Sequence, residues 1–430
     1  MKGLKKSLIV FMFISIASLL VFAGCSSNEN QNSENGDEIT NITFSWWTNP
    51  ERTEMTKEAI ELFEEKNPDI KVTTQYSGWD DYWEKLATNA VGGGLPDVMQ
   101  MDGSRIQQYV NKDQLMDLTE TDIDISDISE ATIDAGKIDD KIYALTTSTN
   151  AQMFIYNPEI LEEAGVEFPD ENYSWEDFAD LGEEIYDKTG VHLIANEAEQ
   201  TAVLDYFLRT KGESLYSSDG KSVGATKEAL EDWFQYWLDM QKTGAVPSAD
   251  KSQSYDHNDH PSNPLVKEEA AFAWLLLGTE PEFEQDLGKP VERAFLPEWG
   301  NEDKPYDLHG AMYWTMSSNT EHPEASAKLI DFLENDPEVA EIFGVERGIP
   351  ANHDNMDLVA EKAEDHHVEE QVEFMEKVED ISSPTLMEPE SADEISELLK
   401  NVAEKAQAEN ITSSQAAEEF LEKGNELMSK

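Results

Sequence analysis

Between residues 42 and 101 short β-prone runs alternate with amphipathic segments, and this rhythm constrains the fold more than any other feature of the chain. Residues 42–45, 70–74 and 98–101 read as strands. From Thr53 onward Met55, Ala59, Ile60, Leu62 and Phe63 recur at helical spacing, with Glu and Lys on the other face, and Asn67-Pro68 stops the helix. Residues 82–91 read as a second helix that ends at Gly92-Gly93-Gly94. Strand–helix–strand–helix–strand order implies an α/β fold with a parallel, doubly wound sheet and right-handed crossovers. The rhythm then breaks. Residues 141–145 read as a strand running into the polar stretch 146–150, and residues 153–156 as another. Helical patterns follow at 175–189, 199–210, 226–242 and 321–335, and the tail 357–430 is helix-forming and charged, broken near Ser382-Ser383-Pro384. No internal repeat with a period of about 20 to 50 residues is visible.

The first residues address the chain. Lys2, Lys5 and Lys6 precede an apolar run from Leu8 to Phe22, followed by the small residues Ala23 and Gly24. A charged start, an apolar core of about fifteen residues and small residues before a cut describe a secretory signal, expected over residues 1–24. Cys25 is the single cysteine, so no internal disulfide forms. Its place behind Ala23-Gly24 resembles a bacterial lipoprotein processing site, with Phe22 standing where Leu is commoner. The resemblance implies lipidation of Cys25. The segment 25–39 is expected to act as a flexible tether, because Ser26 to Glu38 is rich in Ser, Asn, Glu and Gly and has no large apolar residue.

Charge excludes several partners. Lys plus Arg number 31 against 91 Asp plus Glu, a net charge of −60. Such a surface repels nucleic acid and anionic lipid. The acids are spread along the chain, as expected of a solvated surface. Asp256-His257-Asn258-Asp259-His260 offers metal-ligating types, yet lacks the helical His pair of a zinc site and the acidic loop of a calcium site. Neither a metal nor a cofactor is expected.

Three groups of residues, in order, carry a family resemblance. The first is Trp46-Trp47 after strand one, the helix ending Leu62-Phe63-Glu64-Glu65-Lys66-Asn67-Pro68, and Ile70-Lys71-Val72. The second runs from Gly93-Gly94-Leu95-Pro96-Asp97 to Asp102, and the third joins Ile142-Tyr143-Ala144-Leu145 to Met153-Phe154-Ile155-Tyr156-Asn157. Together they resemble the family 1 extracellular solute-binding proteins, the maltose-binding-protein-like components of carbohydrate ABC importers. Arg347-Gly348-Ile349-Pro350-Ala351-Asn352 matches a later landmark. The resemblance implies a two-lobed periplasmic-binding-protein-like fold of type II, each lobe a doubly wound sheet with flanking helices, and a hinge between them. Residues 40–150 plus 313–375 are expected in the N-terminal lobe, and 151–308 plus 376–430 in the C-terminal lobe. It further implies a monomer, lipid-anchored at the outer face of the cell membrane, that traps an oligosaccharide by hinge closure and delivers it to a permease. It implies no enzymatic activity.

Sugars bind through aromatic faces on their C–H patches and planar polar groups on their hydroxyls. Strand alternation sends one of Trp46 and Trp47 into the core, and Trp47 is taken as the ligand contact, beside Asn49 and Arg52. Trp79 stands in a loop behind Gly78. Asp102 follows the third strand, at the edge where open α/β sheets place their sites, and also suits a helix cap at Gly103-Ser104. Asn150 and Gln152 fall near the first hinge crossing. The resemblance places stacking aromatics near Trp274 and Trp314. Arg347 is a candidate for a hydroxyl or a carboxylate, or a tie between lobes. Trp233 and Trp237, four apart on an amphipathic segment, read as core. The rival readings are the same fold holding a polyamine, a metal or glycerol phosphate, and a secreted carbohydrate-active enzyme. The segment 46–52 together with Ser77-Gly78-Trp79-Asp80 resembles family members that import plant cell-wall oligosaccharides, pectin fragments among them, which implies Arg52 and Arg347 facing uronate carboxylates, although neutral oligosaccharides suit the same residues.

Overall fold

The computed structural model describes residues 39–429 except 170–171, 253–254, 256–259, 365 and 384–387. The signal, Cys25, nearly all of the tether and the cluster at 256–259 lie outside the described residues. Strand β1 (Thr40–Trp47) is flanked by β2 (Ile70–Ser77) and β3 (Val98–Met101), both parallel to it. Helix α1 (Pro50–Lys66) makes the first crossover, capped by the Asn49 side chain with Pro50 in its first turn. Helix α2 (Trp79–Gly92) makes the second and ends at Gly93 in the left-handed region, φ 69°. The sequence rhythm and the parallel unit therefore agree over this stretch.

Helix α3 (Gly103–Val110), the short α4 (Glu130–Asp134) and the hairpin β4 (Lys137–Ile138) and β5 (Lys141–Ile142) lead to β6 (Leu145–Asn150). The polar stretch behind Leu145 is thus itself a strand. Thr146, Ser148 and Thr149 are buried, because the neighbours of β6 on both sides come from distant parts of the chain.

Only Ala151 separates β6 from β7 (Gln152–Tyr156), and the two strands belong to different sheets. Beyond β7 a helical excursion comprises α5 (Pro158–Ala164), α6 (Trp175–Thr189), α7 (Thr201–Arg209), α8 (Lys227–Thr243) and α9 (Ala249–Ser252). Then come β8 (Phe272–Leu276), α10 (Glu280–Leu287) and β9 (Glu292–Ala294). The second sheet has the order β8-β7-β9, and both pairings are antiparallel. This differs from the doubly wound sheet expected there. The excursion returns the chain to the far end of β7, so β8 enters in the opposite sense, and a single parallel bridge, His192 to Ala270, extends the sheet.

Strand β10 (His309–Met316) re-enters the first sheet antiparallel to both β3 and β6. Helices α11 (Pro323–Asn335) and α12 (Pro337–Phe343), edge strand β11 (Ile349–Pro350) and α13 (His353–Lys362) follow. The first sheet has the order β11-β6-β10-β3-β1-β2. Helices α14 (His366–Asp380), α15 (Ala392–Gln407) and α16 (Ser413–Met428) end the chain.

Apolar side chains divide into separate cores. Ile42, Phe44, Phe63, Trp314 and Ile330 belong to a cluster under the first sheet. Trp47, Tyr82, Met99 and Tyr313 form another, on the opposite face. A larger cluster joins Phe154, Trp233, Trp237 and Phe272 to Leu399, Val402 and Phe420 of the last helices. Val372, Phe374 and Met375 of α14, expected up to residue 375 with the first body, also pack there, together with Ile349 of β11 and Met356 of α13. Each fully buried large side chain is worth about 1.5–3 kcal/mol of transfer free energy, so α14 follows its apolar face.

Candidate functional site

Parallel strands β1, β2 and β3 bring Trp47, Ser77 and Met101 to one edge of the first sheet, and the next residues of each strand make that edge. Asp102 is one of them. Its carboxylate accepts from the Ser104 backbone N–H at 3.0 Å and from the Ser104 hydroxyl, so it caps α3. It also lines a cavity of about 310 Å³. The two readings of this aspartate are compatible: the cap fixes the side chain and the edge points it at the opening.

The cavity is walled from both bodies. Asp102, Ser104 and Tyr313 come from the first sheet and its turns, while Thr201, Asp205, Arg209 and Tyr216 come from α7 and the turn after it. Gln152 and Gly310 sit beside the crossings, where β6 gives way to β7 and where β10 enters. Asn150 pairs in register with His309 at the same crossing, and its side chain accepts from the Ala151 N–H at 2.8 Å. It lines a smaller neighbouring cavity with Gly278 and Gly348.

Arg209 is nearly buried, at 8% exposure. Its Nε donates to Asp205 at 2.7 Å, Nη1 donates to the Ser383 hydroxyl at 2.9 Å, and Nη2 stands 4.0 Å from Asp307. Burial opposes its charge, but Asp307 and Asp205 outweigh that and raise its pKa. Asp205 also accepts from the Leu215 N–H at 2.7 Å, which fixes the turn carrying Tyr216. Burial, followed by the charges of Glu388 and Asp205, pushes the Tyr216 phenol up, and burial with Asp102 does the same to Tyr313. Both phenols are therefore neutral donors with apolar ring faces.

The expected aromatics separate into three groups. Trp46 is fully buried and stacks on Phe44 at 4.9 Å, whereas Trp47 faces the opposite side of the sheet, as alternation requires. Trp47 is itself only 9% exposed and passes the edge to Trp79, whose ring meets it at 5.0 Å and is 43% exposed. Trp83 completes this group under the Arg105 guanidinium. Neither Trp47 nor Trp79 lines the described cavity; they stand along the same sheet edge. Trp274 is half-buried against Phe154 and donates through its indole N–H to the Gln152 amide oxygen, which in turn lines the cavity. Trp314 is a core residue, 1% exposed inside the first cluster, and presents no ring face to the cavity.

The predicted charged contacts are engaged elsewhere. Arg52 bonds the Glu346 carbonyl at 3.0 Å and its carboxylate at 3.3 Å, and Asn49 both caps α1 and reaches Glu346. Arg347 is 4% exposed and donates to Gln100 at 2.7 Å and Thr56 at 2.7 Å, over the faces of Trp314 and Phe343. Burial first and the neighbouring Arg52 charge second push its pKa down to about 9, against Glu346. Arg347 is thus a tie inside the protein, and its guanidinium is not presented to a ligand. Sequence reading did not single out Tyr216, Tyr313, Asp205, Arg209 or Asp307. Four of these belong to types spread throughout the chain, and what marks them is the meeting of segments far apart in sequence.

The comparisons fall in with this geometry. The family model described as bacterial extracellular solute-binding protein matches residues 58–370. The chain belongs to that family. Among curated relatives, this solute-binding protein is 25% identical over 243 residues to the arabinooligosaccharide-binding protein of Bacillus subtilis (strain 168), covering 55% of each chain. It is 25% identical over 199 residues to the lactose-binding protein of Rhizobium radiobacter, covering 44% of this chain and 47% of that one. The chain thus spans about half the length of these curated relatives. A solved family 1 extracellular solute-binding protein from Alicyclobacillus acidocaldarius superposes with a TM-score of 0.80 at 24% identity, covering 91% of this chain and 99% of that one. A periplasmic oligogalacturonide-binding protein from Yersinia enterocolitica superposes with a TM-score of 0.79 at 22% identity, covering 90% and 99%. These likenesses establish the two-domain solute-binding fold. Among the described residues, no helix is long and apolar enough to cross a membrane.

Proposed function

We propose that this solute-binding protein captures an oligosaccharide between its two bodies and hands it to the permease of an ABC importer. The observation that carries the reading is a cavity with walls from both bodies, placed beside the one-residue crossing from β6 to β7. Relatives named for arabino- and galacto-oligosaccharides support the class of cargo. Asp102 and Gln152 take sugar hydroxyls, Tyr216 and Tyr313 offer ring faces, and Asn150 serves the crossing. Trp79, with Trp47 behind it, extends the site along the sheet edge for a longer chain. Trp274 holds Gln152 in place.

The crossings at Ala151 and ahead of β10 act as the hinge. The protein works as a binder without catalysis. It works as a monomer at the outer face of the cell membrane, tethered through lipid on Cys25. A cationic solute such as a polyamine is the second reading, favoured by the excess of carboxylates in the cavity wall.

A thermal-shift screen of mono- and oligosaccharides, polyamines and divalent metals tests the proposal. A ligand at about a hundred times its dissociation constant adds about 2.7 kcal/mol of stability. An upward shift with one saccharide class supports it; a shift with polyamines alone, or none with any saccharide, contradicts it.

A further inference from the structure

Uronic-acid oligosaccharides and neutral ones are recognised by opposite electrostatics. A uronate carboxylate needs a cation with unsatisfied donors, best an arginine that presents both arms of its fork. A neutral sugar needs acceptors and donors for hydroxyls and is indifferent to net charge. The cavity wall holds Asp102, Asp205, Asp307 and Glu388, and Arg209 is the one cation among the described residues that line it. Four carboxylates face one guanidinium.

That guanidinium is already committed. Nε is on Asp205 at 2.7 Å, Nη1 is on Ser383 at 2.9 Å, and Nη2 faces Asp307 at 4.0 Å. With 8% exposure, Arg209 has little surface left to offer. The two arginines expected to face a uronate are engaged as well, Arg52 with Glu346 and Arg347 inside the protein with Gln100 and Thr56, while Arg105 stands over Trp83 outside this wall. Among the described residues the wall therefore offers a carboxylate no uncommitted cation, and several groups that repel one.

Building on the sugar-capture reading, we propose that this protein selects neutral oligosaccharides and rejects their uronate forms, with Asp102 and Glu388 as selectivity residues. Arg209 is a positioning residue: it holds Asp205 and Asp307 in the wall and screens them from each other. A carboxylate entering the cavity would stand against a net excess of three negative groups, taken from the four acids and one arginine that line it. Like charges a few ångströms apart in a partly desolvated cleft disfavour binding by about a hundredfold or more.

The test is calorimetric, on the intact protein. The neutral oligosaccharide that binds best is compared with two derivatives in which one primary alcohol is oxidised, to the uronic acid and to its neutral uronamide. The expected result is that the acid binds about a hundredfold more weakly than the uronamide, with the gap narrowing in high salt. Asp102→Asn and Glu388→Gln should each shrink the acid-to-uronamide ratio, whatever they do to neutral affinity. An acid that binds as well as the uronamide overturns the inference, and so does a ratio unchanged in both variants. Failure of every saccharide, neutral and acidic alike, overturns the parent reading instead.

Discussion

Glu334 sits on α11 at 5% exposure, and burial, with the nearby Asp331 charge, raises its pKa well above the usual carboxylate range. An acid whose folded-state pKa is raised holds its proton longer folded than unfolded. Stability is therefore lost as pH rises from about 4.5 toward the folded value. Glu334→Gln removes that loss. Its gain in melting temperature over the parent should be near zero at pH 4 and grow toward pH 8, and a gain that does not grow with pH contradicts the assignment. At this scale the sequence is least informative. Arg347 and Trp314 have the residue types of a sugar site, yet β10 and the segment before β11 carry them into the core. Nothing local distinguishes a tryptophan that ends up 1% exposed from one that ends up 43% exposed, as Trp314 and Trp79 do. Asp102 was legible because its position after a parallel strand has a geometric consequence.

At the scale of elements the chain is far more transparent. Helix α6 was bounded correctly because Ser174 and Asp177 form a capping box at its start and Gly190 adopts the left-handed conformation at its end. β1 to β3 follow from periodicity alone. β6 was legible only in its first residue, since a polar strand buried between two long-range partners has no apolar alternation to announce it. β10 illustrates a constraint that sequence does not display: at Gly310 a Cβ would overlap the Tyr313 hydroxyl. Gly310→Ala should therefore displace Tyr313 from the cavity wall and weaken saccharide binding about tenfold, with a modest loss of stability. Ligand titration and urea unfolding on the same sample separate these. Unchanged affinity would show that Tyr313 does not contact the ligand.

For the molecule as a whole, two bodies joined by the one-residue crossing at Ala151 and the segment ahead of β10 are suited to rigid-body closure. Small-angle scattering should show a smaller radius of gyration when a saturating saccharide is added, and an unchanged radius would argue against closure. The two-lobed plan could be read from the ordered landmarks, but the assignment of α14 could not. Its apolar stripe meets both bodies, Ile349 and Met356 on one side and Phe295 on the other, and only the folded packing reveals this. The antiparallel second sheet was hidden for a related reason, because pairing sense depends on where a long excursion ends.

On the proposed function, the sugar sits in the cavity between Asp102 and Tyr216. Isothermal titration of the parent, Asp102→Ala and Tyr216→Ala with the saccharide that raises the melting temperature tests it most directly. Loss of a hydroxyl acceptor or a stacking face should weaken binding by about ten- to a hundredfold in each variant, with folding retained. Affinity unchanged in both variants would place the sugar elsewhere on the protein.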